Sequence, residues 1–211
     1  MTVDVSKIYL LDVATGGSVE GELRDAIEQA QLDDWQTKWR PALLTILQEL
    51  ARKGVPIDQW PQSWHWDWKK KTARVQGLLA FRGFSVVALG ETQGLAQIDL
   101  TKMGREANQR GKPLVYIDYL EVAPWNRPEL GATPRLRGVG SALVTAAIAA
   151  SEDEGFKGRL GLHSLPQADD FYRKIGMTDL GQDAAYQNLR YFEMTSEQAR
   201  AFFEKEENDE T

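Results

Sequence analysis

Apolar residues recur along this chain with a period that changes from segment to segment, and the changes mark its elements. Residues 7–13 form a short apolar run that stops at Thr15-Gly16-Gly17, a strand and a turn. From Ser18, the spacing of Leu23, Ile27 and Ala30, continued by Trp35 and Trp39, predicts a helix. Pro41 opens a second helix, with Leu43, Leu44, Leu47 and Leu50 on one face and Gly54 as its stop. Residues 55–71 hold Pro56, Pro61 and four tryptophans (Trp60, Trp64, Trp66, Trp68) without helical period, and read as an extended, packed excursion. Residues 84–89 and 95–100 are β-tending runs around a hairpin at 90–94, and 114–122 is a further strand ended by Ala123-Pro124. A loop at 125–134 leads to a helix at 138–151, where Leu143, Val144, Ala147, Ile148 and Ala150 make an apolar stripe. Then follow a strand at 159–163, a short helix at 168–175, and strands at 177–180 and 189–194. A last helix begins near Thr195, whose spacing to Gln198 fits a capping box, and an acidic tail occupies 204–211.

Composition narrows what such a chain can be. With 42% hydrophobic residues, 211 residues close one sizeable core, so the expectation is a single domain over 1–211. A net charge of -6 disfavours a general nucleic-acid binder, because phosphates require a basic surface. Without cysteine, disulfides, thiolate metal sites and a Cys nucleophile are excluded, and the two histidines suggest no metal cluster. Neither a basic, apolar leader nor a stretch near the roughly 20 apolar residues of a membrane span is visible, so a cytoplasmic protein without membrane contact is expected.

One segment carries chemistry. A strand, a loop and a helix opened by Gly138 and Gly140 gather backbone N–H groups and the positive end of a helix dipole at one point, an anion site in form. Glycine lets phosphate oxygens approach the main chain, and Arg135 and Arg137 add charge. Two glycines before a helix equally serve tight packing. A Walker loop would need a lysine where Gly140-Ser141-Ala142 has none. A dinucleotide fingerprint would need a shorter loop and an acid at the end of the next strand, which reads Arg159-Leu160-Gly161-Leu162-His163.

Arg135-x-x-Gly138-x-Gly140 resembles the acetyl-CoA motif of the Gcn5-related N-acetyltransferases (GNAT). It follows Leu120-Glu121-Val122-Ala123-Pro124, similar to that family's strand before the loop, and precedes Phe171-Tyr172-Arg173-Lys174-Ile175-Gly176-Met177, similar to its F-Y-x-K-x-G-F/M. The resemblance spans about 84–194 and is weak over 1–83. It implies an α/β fold with a mixed, mostly antiparallel sheet, splayed central strands and helices on both faces. It further implies that pantetheine of acetyl-CoA lies along Leu120 and Val122, with the pyrophosphate on the amides of Leu136, Arg137, Gly138, Val139, Gly140 and Ser141 beside Arg135. Tyr172 corresponds to the acid that protonates the leaving thiolate. Asp118, Glu121 and Tyr116 alternate along the central strand and are the candidates for the base, unless the base acts through water or is absent. His163 ends a strand beside the expected cleft, as a catalytic or a hydrogen-bonded structural residue.

Two departures stand out. Leu165 occupies a position where the family often has asparagine, and the 125–134 loop is long, either a surface insertion or a lid. Trp64, Trp66 and Trp68 alternate on one side of their segment, covering a core or a homodimer seam or walling the acceptor site. The expected activity is acetyl transfer from acetyl-CoA, without metal, to a primary amine on a small molecule, peptide or protein. The alternatives are a non-catalytic acyl-CoA-binding domain and a toxin acting on aminoacyl-tRNA beside an antitoxin.

Overall fold

The computed structural model describes residues 3–131 and 133–209. The chain divides into two compact units, Met1–Gln97 with Tyr119–Val144, and Ile98–Asp118 with Thr145–Thr211. Three elements run through both: strands β4 (Glu91–Met103) and β5 (Pro113–Val122) and helix α4 (Val139–Asp153).

In the first unit the strand order is β6-β1-β2-β3-β4-β5, with β1 Val5–Asp12, β2 Ser18–Arg24, β3 Phe81–Ala88 and β6 Leu136–Arg137. β1 and β2 pair antiparallel from Val5↔Arg24 to Leu11↔Ser18, and the two-residue β6 pairs antiparallel with the end of β1. The helix expected from Ser18 is instead β2. Val19, Gly21 and Leu23 alternate with the exposed Ser18, Glu20 and Glu22, a period of two that the Leu23–Ile27 spacing disguised. Gly21 is required there, because a Cβ would lie 3.0 Å from the Val87 carbonyl oxygen. The β3–β4 hairpin is also tighter than expected, turning on Leu89-Gly90, both at positive φ. Gly94, expected in that turn, lies within β4 under α4, where a Cβ would come 2.7 Å from Cγ1 of Val139.

Helix α1 (Gln29–Asp34) continues through a π-helical turn at Trp35–Trp39 into α2 (Arg40–Arg52). Asp34 accepts hydrogen bonds from the amide and hydroxyl of Thr92 at 2.8 and 3.0 Å, and the Trp39 indole donates to the Thr92 carbonyl at 2.9 Å, which fastens this helical run to β4. The extended excursion ends sooner than expected. Asp67 caps helix α3 (Trp68–Val75) by accepting from the Lys70 amide at 3.0 Å, and Trp68 is fully buried. Leu32, Trp35, Trp39, Trp68, Leu95 and Ala123 form one apolar cluster.

In the second unit the order is β4-β5-β7-β9-β8, with β7 Leu160–Ser164, β8 Thr178–Asp183 and β9 Leu189–Met194. β5 and β7 are parallel, and their register covers Val115↔Leu160 to Ile117↔Leu162; β7–β9 and β9–β8 are antiparallel. Short helix α5 (Asp169–Lys174) precedes β8. Helix α6 (Ser196–Asp209) opens on the expected capping box, Thr195 N–H to Gln198 Oε1 at 2.8 Å and Gln198 N–H to Thr195 Oγ1 at 3.3 Å. It continues into the segment expected as an acidic tail, whose last two residues lie outside the described ones. No helix of the described residues is long and apolar enough to cross a membrane.

Candidate functional site

Gly138 turns the chain from β6 into α4 at a φ of +93°, a left-handed conformation that a side chain would strain. The first helical bond runs from Ala142 N–H to the Gly138 carbonyl at 2.9 Å, so the amides of Val139, Gly140 and Ser141 fall in the opening turn, where a helix supplies no acceptor of its own. The Leu136 amide is engaged differently. It donates to Asn126 Oδ1 at 2.9 Å, and its side chain is buried. Asn126 Nδ2 and Trp125 Nε1 in turn donate to Gln93 Oε1 at 2.8 and 2.9 Å, which ties the loop before the helix to β4. Arg135 and Arg137 are exposed, Arg135 with its guanidinium 5.1 Å from the Trp125 ring centroid. Leu120 and Val122 are half-buried on β5.

The long loop is turned on itself and packed at its start, with Pro128, Glu129, Gly131 and Thr133 exposed. It forms two 3-10 turns, Pro124–Asn126 and Pro128–Leu130, and buries Asn126 and Arg127; Ala132, within 125–134, lies outside the described residues. Arg127 donates to Glu121 Oε1 at 3.3 Å, to Ser63 Oγ at 3.0 Å and to Glu129 Oε1 at 2.7 Å. The Trp68 indole donates to the other oxygen of Glu121 at 2.7 Å. Glu121 is 8% exposed. Burial pushes its carboxyl above the ordinary range, while Arg127 and Trp68 pull it back. Glu121 also borders a cavity of about 570 Å³ whose walls come from α2 and from Trp35, Trp39, Trp60, Trp64 and Trp66.

The second unit holds a different polar group. The Tyr116 hydroxyl lies 2.7 Å from His163 Nδ1, and His163 Nε2 lies 3.1 Å from Asp183 Oδ2, which Arg105 also contacts. The imidazole stacks on Tyr186 at 3.9 Å and 8°, and its side chain is 3% exposed. Burial lowers the His163 pKa against the pull of Asp183. Arg105 and His163 hold Asp183 down at about 2. Burial raises the Tyr116 hydroxyl, with the Asp118 charge adding to it. These shifts fit a neutral imidazole that donates through Nε2 and accepts the tyrosine proton at Nδ1. Tyr172 is buried on α5, tilted against Phe192 at 5.8 Å, and desolvation raises its pKa, so the hydroxyl keeps its proton at neutral pH.

Of the residues singled out in the sequence, the first unit therefore holds the glycine turn, Leu120, Glu121 and Val122, and the second holds Asp118, His163 and Tyr172. Sequence reasoning missed Arg127, Trp68, Ser63 and Asp183 as partners of ionisable groups. Trp68 is 53 residues from Glu121, and no local pattern announces such a contact.

No protein-family model matches the chain, and no curated protein matches it in sequence. Solved structures do match. FeeM, an N-acyl amino acid synthase from uncultured soil microbes, is 13% identical, with 86% of this chain and 93% of that one covered and a TM-score of 0.52. A bacterial toxin is 12% identical over 96% of this chain and 97% of its own, with a TM-score of 0.50. The GNAT domain of S. lividans PAT is 18% identical over 90% and 96%, with a TM-score of 0.47. At such identities the likeness concerns the fold alone: α/β, with a mostly antiparallel sheet in which β5 and β7 run parallel.

Proposed function

We propose that the protein is an N-acyltransferase that moves an acetyl group from acetyl-CoA to a primary amine. The observation that carries this reading is the turn at Gly138: a left-handed glycine, an exposed arginine on either side of Leu136, and the opening amides of α4 together make an anion cradle on an α/β fold, as the GNAT resemblance implies. The residues suit the group. Gly138 to Ser141 would hold the pyrophosphate through main-chain donors, with Arg135 and Arg137 beside it. The Leu136 amide takes no part, because Asn126 already occupies it. The backbone of Leu120 and Val122 lies beyond the part of β5 in register with β7, which suits pantetheine adding along that strand. Acetyl-CoA supplies the activated thioester when bound.

Within this reading Glu121 is the base. It is a carboxylate made more basic by burial, held in one orientation by Trp68 and Arg127, and it faces a cavity. Asp118 is the second candidate on the same strand. Tyr172, protonated at neutral pH, is the acid toward sulfur by its place in the motif. His163 receives no proton-transfer role, since both ring nitrogens are engaged.

Release of the CoA thiol from acetyl-CoA, followed with a thiol reagent over a panel of amines, tests the proposal. The protein contributes no thiol background, having no cysteine. Amine-dependent thiol release is expected; acetyl-CoA binding without release by any amine would leave an acyl-CoA-binding domain.

A further inference from the structure

We infer that the tryptophan-walled cavity of the first unit binds an amine carried on a broad apolar body, of the arylalkylamine kind, in preference to a hydrophilic polyamine. The inference deepens the acyltransferase reading and rests on it only for what happens to the amine after binding.

The cavity, about 570 Å³, is of the size that takes a small organic molecule. Its buried lining consists of Trp35, Trp39, Leu47, Ser63, Glu121 and Pro124, among which Glu121 is the one charged side chain. The carboxylate accepts from Trp68, Arg127 and Ser63, which leaves about one of its roughly four acceptor sites for a further donor. Arg127 and Lys71 both act on Glu121 and Glu129 pairs with Arg127, so these charges balance, and an incoming ammonium gains from direct contact with the carboxylate rather than from a net field. An anionic ligand would meet the carboxylate and be repelled.

The outer wall is apolar where water would favour polar groups. Trp64 is 42% exposed and Leu44 49%, and both border the cavity. Apolar surface at the mouth of a pocket is what an apolar ligand covers. The indole N–H groups of Trp39 and Trp60 are bonded to carbonyls, of Thr92 at 2.9 Å and Val55 at 3.0 Å, so these rings offer apolar surface rather than donors. Arg40 and Lys70, the cationic side chains of the lining, are exposed at its rim, and the half-buried Asp67 lies 3.7 Å from Lys70. A polyamine would have to desolvate several ammonium groups in a cavity whose buried lining holds one carboxylate to pair them, whereas a single ammonium on an apolar chain meets that carboxylate at one end and apolar surface along its length. The π-helical turn at Trp35–Trp39 forms part of the wall, a distortion that recurs where helices serve ligands.

The test is a titration of tryptophan fluorescence on the full chain without acetyl-CoA, using phenylbutylamine, its neutral isostere phenylbutanol, and spermidine. Phenylbutylamine should bind about tenfold tighter than either of the others. Trp64→Ala and Leu44→Ala, at exposed positions, should each weaken it about threefold or more. Glu121→Gln, with circular dichroism and acetyl-CoA affinity as checks on folding, should erase the preference for the amine over the alcohol. No response to phenylbutylamine, equal or tighter binding of spermidine, or an amine preference that survives in Glu121→Gln would overturn the inference. Because the titration omits acetyl-CoA, the two readings fail separately. Phenylbutylamine bound but never acetylated sinks the acetyltransferase and keeps the cavity, whereas turnover of hydrophilic amines with phenylbutylamine ignored does the reverse.

Discussion

The carboxylate of Glu121 in the first unit and the imidazole of His163 in the second are both buried, and both are held by polar side chains, among them Trp68, 53 residues from Glu121, and Tyr116, 47 from His163. They differ in what lies beside them. Glu121 faces a cavity, and its net environment raises its pKa, so it keeps both a proton affinity and somewhere to use it. His163 is closed over by the stacked Tyr186, its nitrogens are both engaged, and its pKa is lowered. Burial of a titratable group is common to the two; access and spare hydrogen-bonding capacity are what, in the proposed function, give Glu121 and not His163 the chemical role.

That contrast can be broken by exchange of losses. Glu121→Gln should lower kcat by about 10²- to 10⁴-fold, the usual contribution of a positioned base, while His163→Gln should leave kcat within about threefold and lower the melting temperature. The opposite pattern in steady-state kinetics and thermal melts would reverse the assignment. Arg127→Ala should cost about 3–5 kcal/mol in urea unfolding, because it leaves a buried carboxylate unpaired. It should also move the acid limb of the pH–rate profile upward, since loss of the guanidinium raises the Glu121 pKa further.

Acid should sharpen the difference from the other side. The folded pKa of His163 lies below its ordinary value near 6.5, so its contribution is complete above about pH 6.5 and falls away as the pH drops through the folded value. Asp183, held at about 2, contributes above about pH 4 and loses that contribution as the pH falls toward 2. Melting curves across pH should therefore decline in two steps, and His163→Gln should remove the upper one. Tyr186→Leu, which takes away the stacked ring, should have the smallest effect, about 1 kcal/mol in urea unfolding.

Elements with an unmixed period were legible in the sequence: β1, α2, β5, α4 and the capping box of α6 lie close to where the pattern predicted them. β2 was not, because Leu23 and Ile27, four apart, imitate a helix across the end of a strand. α3 was hidden by the tryptophans that run into it, although Asp67 just before Trp68 is a cap residue that could have revealed it. The turn itself was visible because such a backbone angle calls for glycine at one position, Gly138. The partners of Glu121 were invisible because Trp68 and Arg127 reach it from 53 residues before and six after, through packing that no spacing encodes. Asp183 meets His163 over 20 residues in the same way.

The central claim is that acetyl-CoA rests on the turn at Gly138, and calorimetry with acetyl-CoA on the wild type and on Gly138→Glu tests it most directly. Glutamate there sets charge and bulk where the pyrophosphate belongs, at a backbone angle glycine alone takes easily. Micromolar binding by the wild type, on the order of -8 kcal/mol, lost in a variant whose circular dichroism and melt show it folded, is the predicted result. Absence of binding by the wild type, or undiminished binding by the folded variant, would contradict the account.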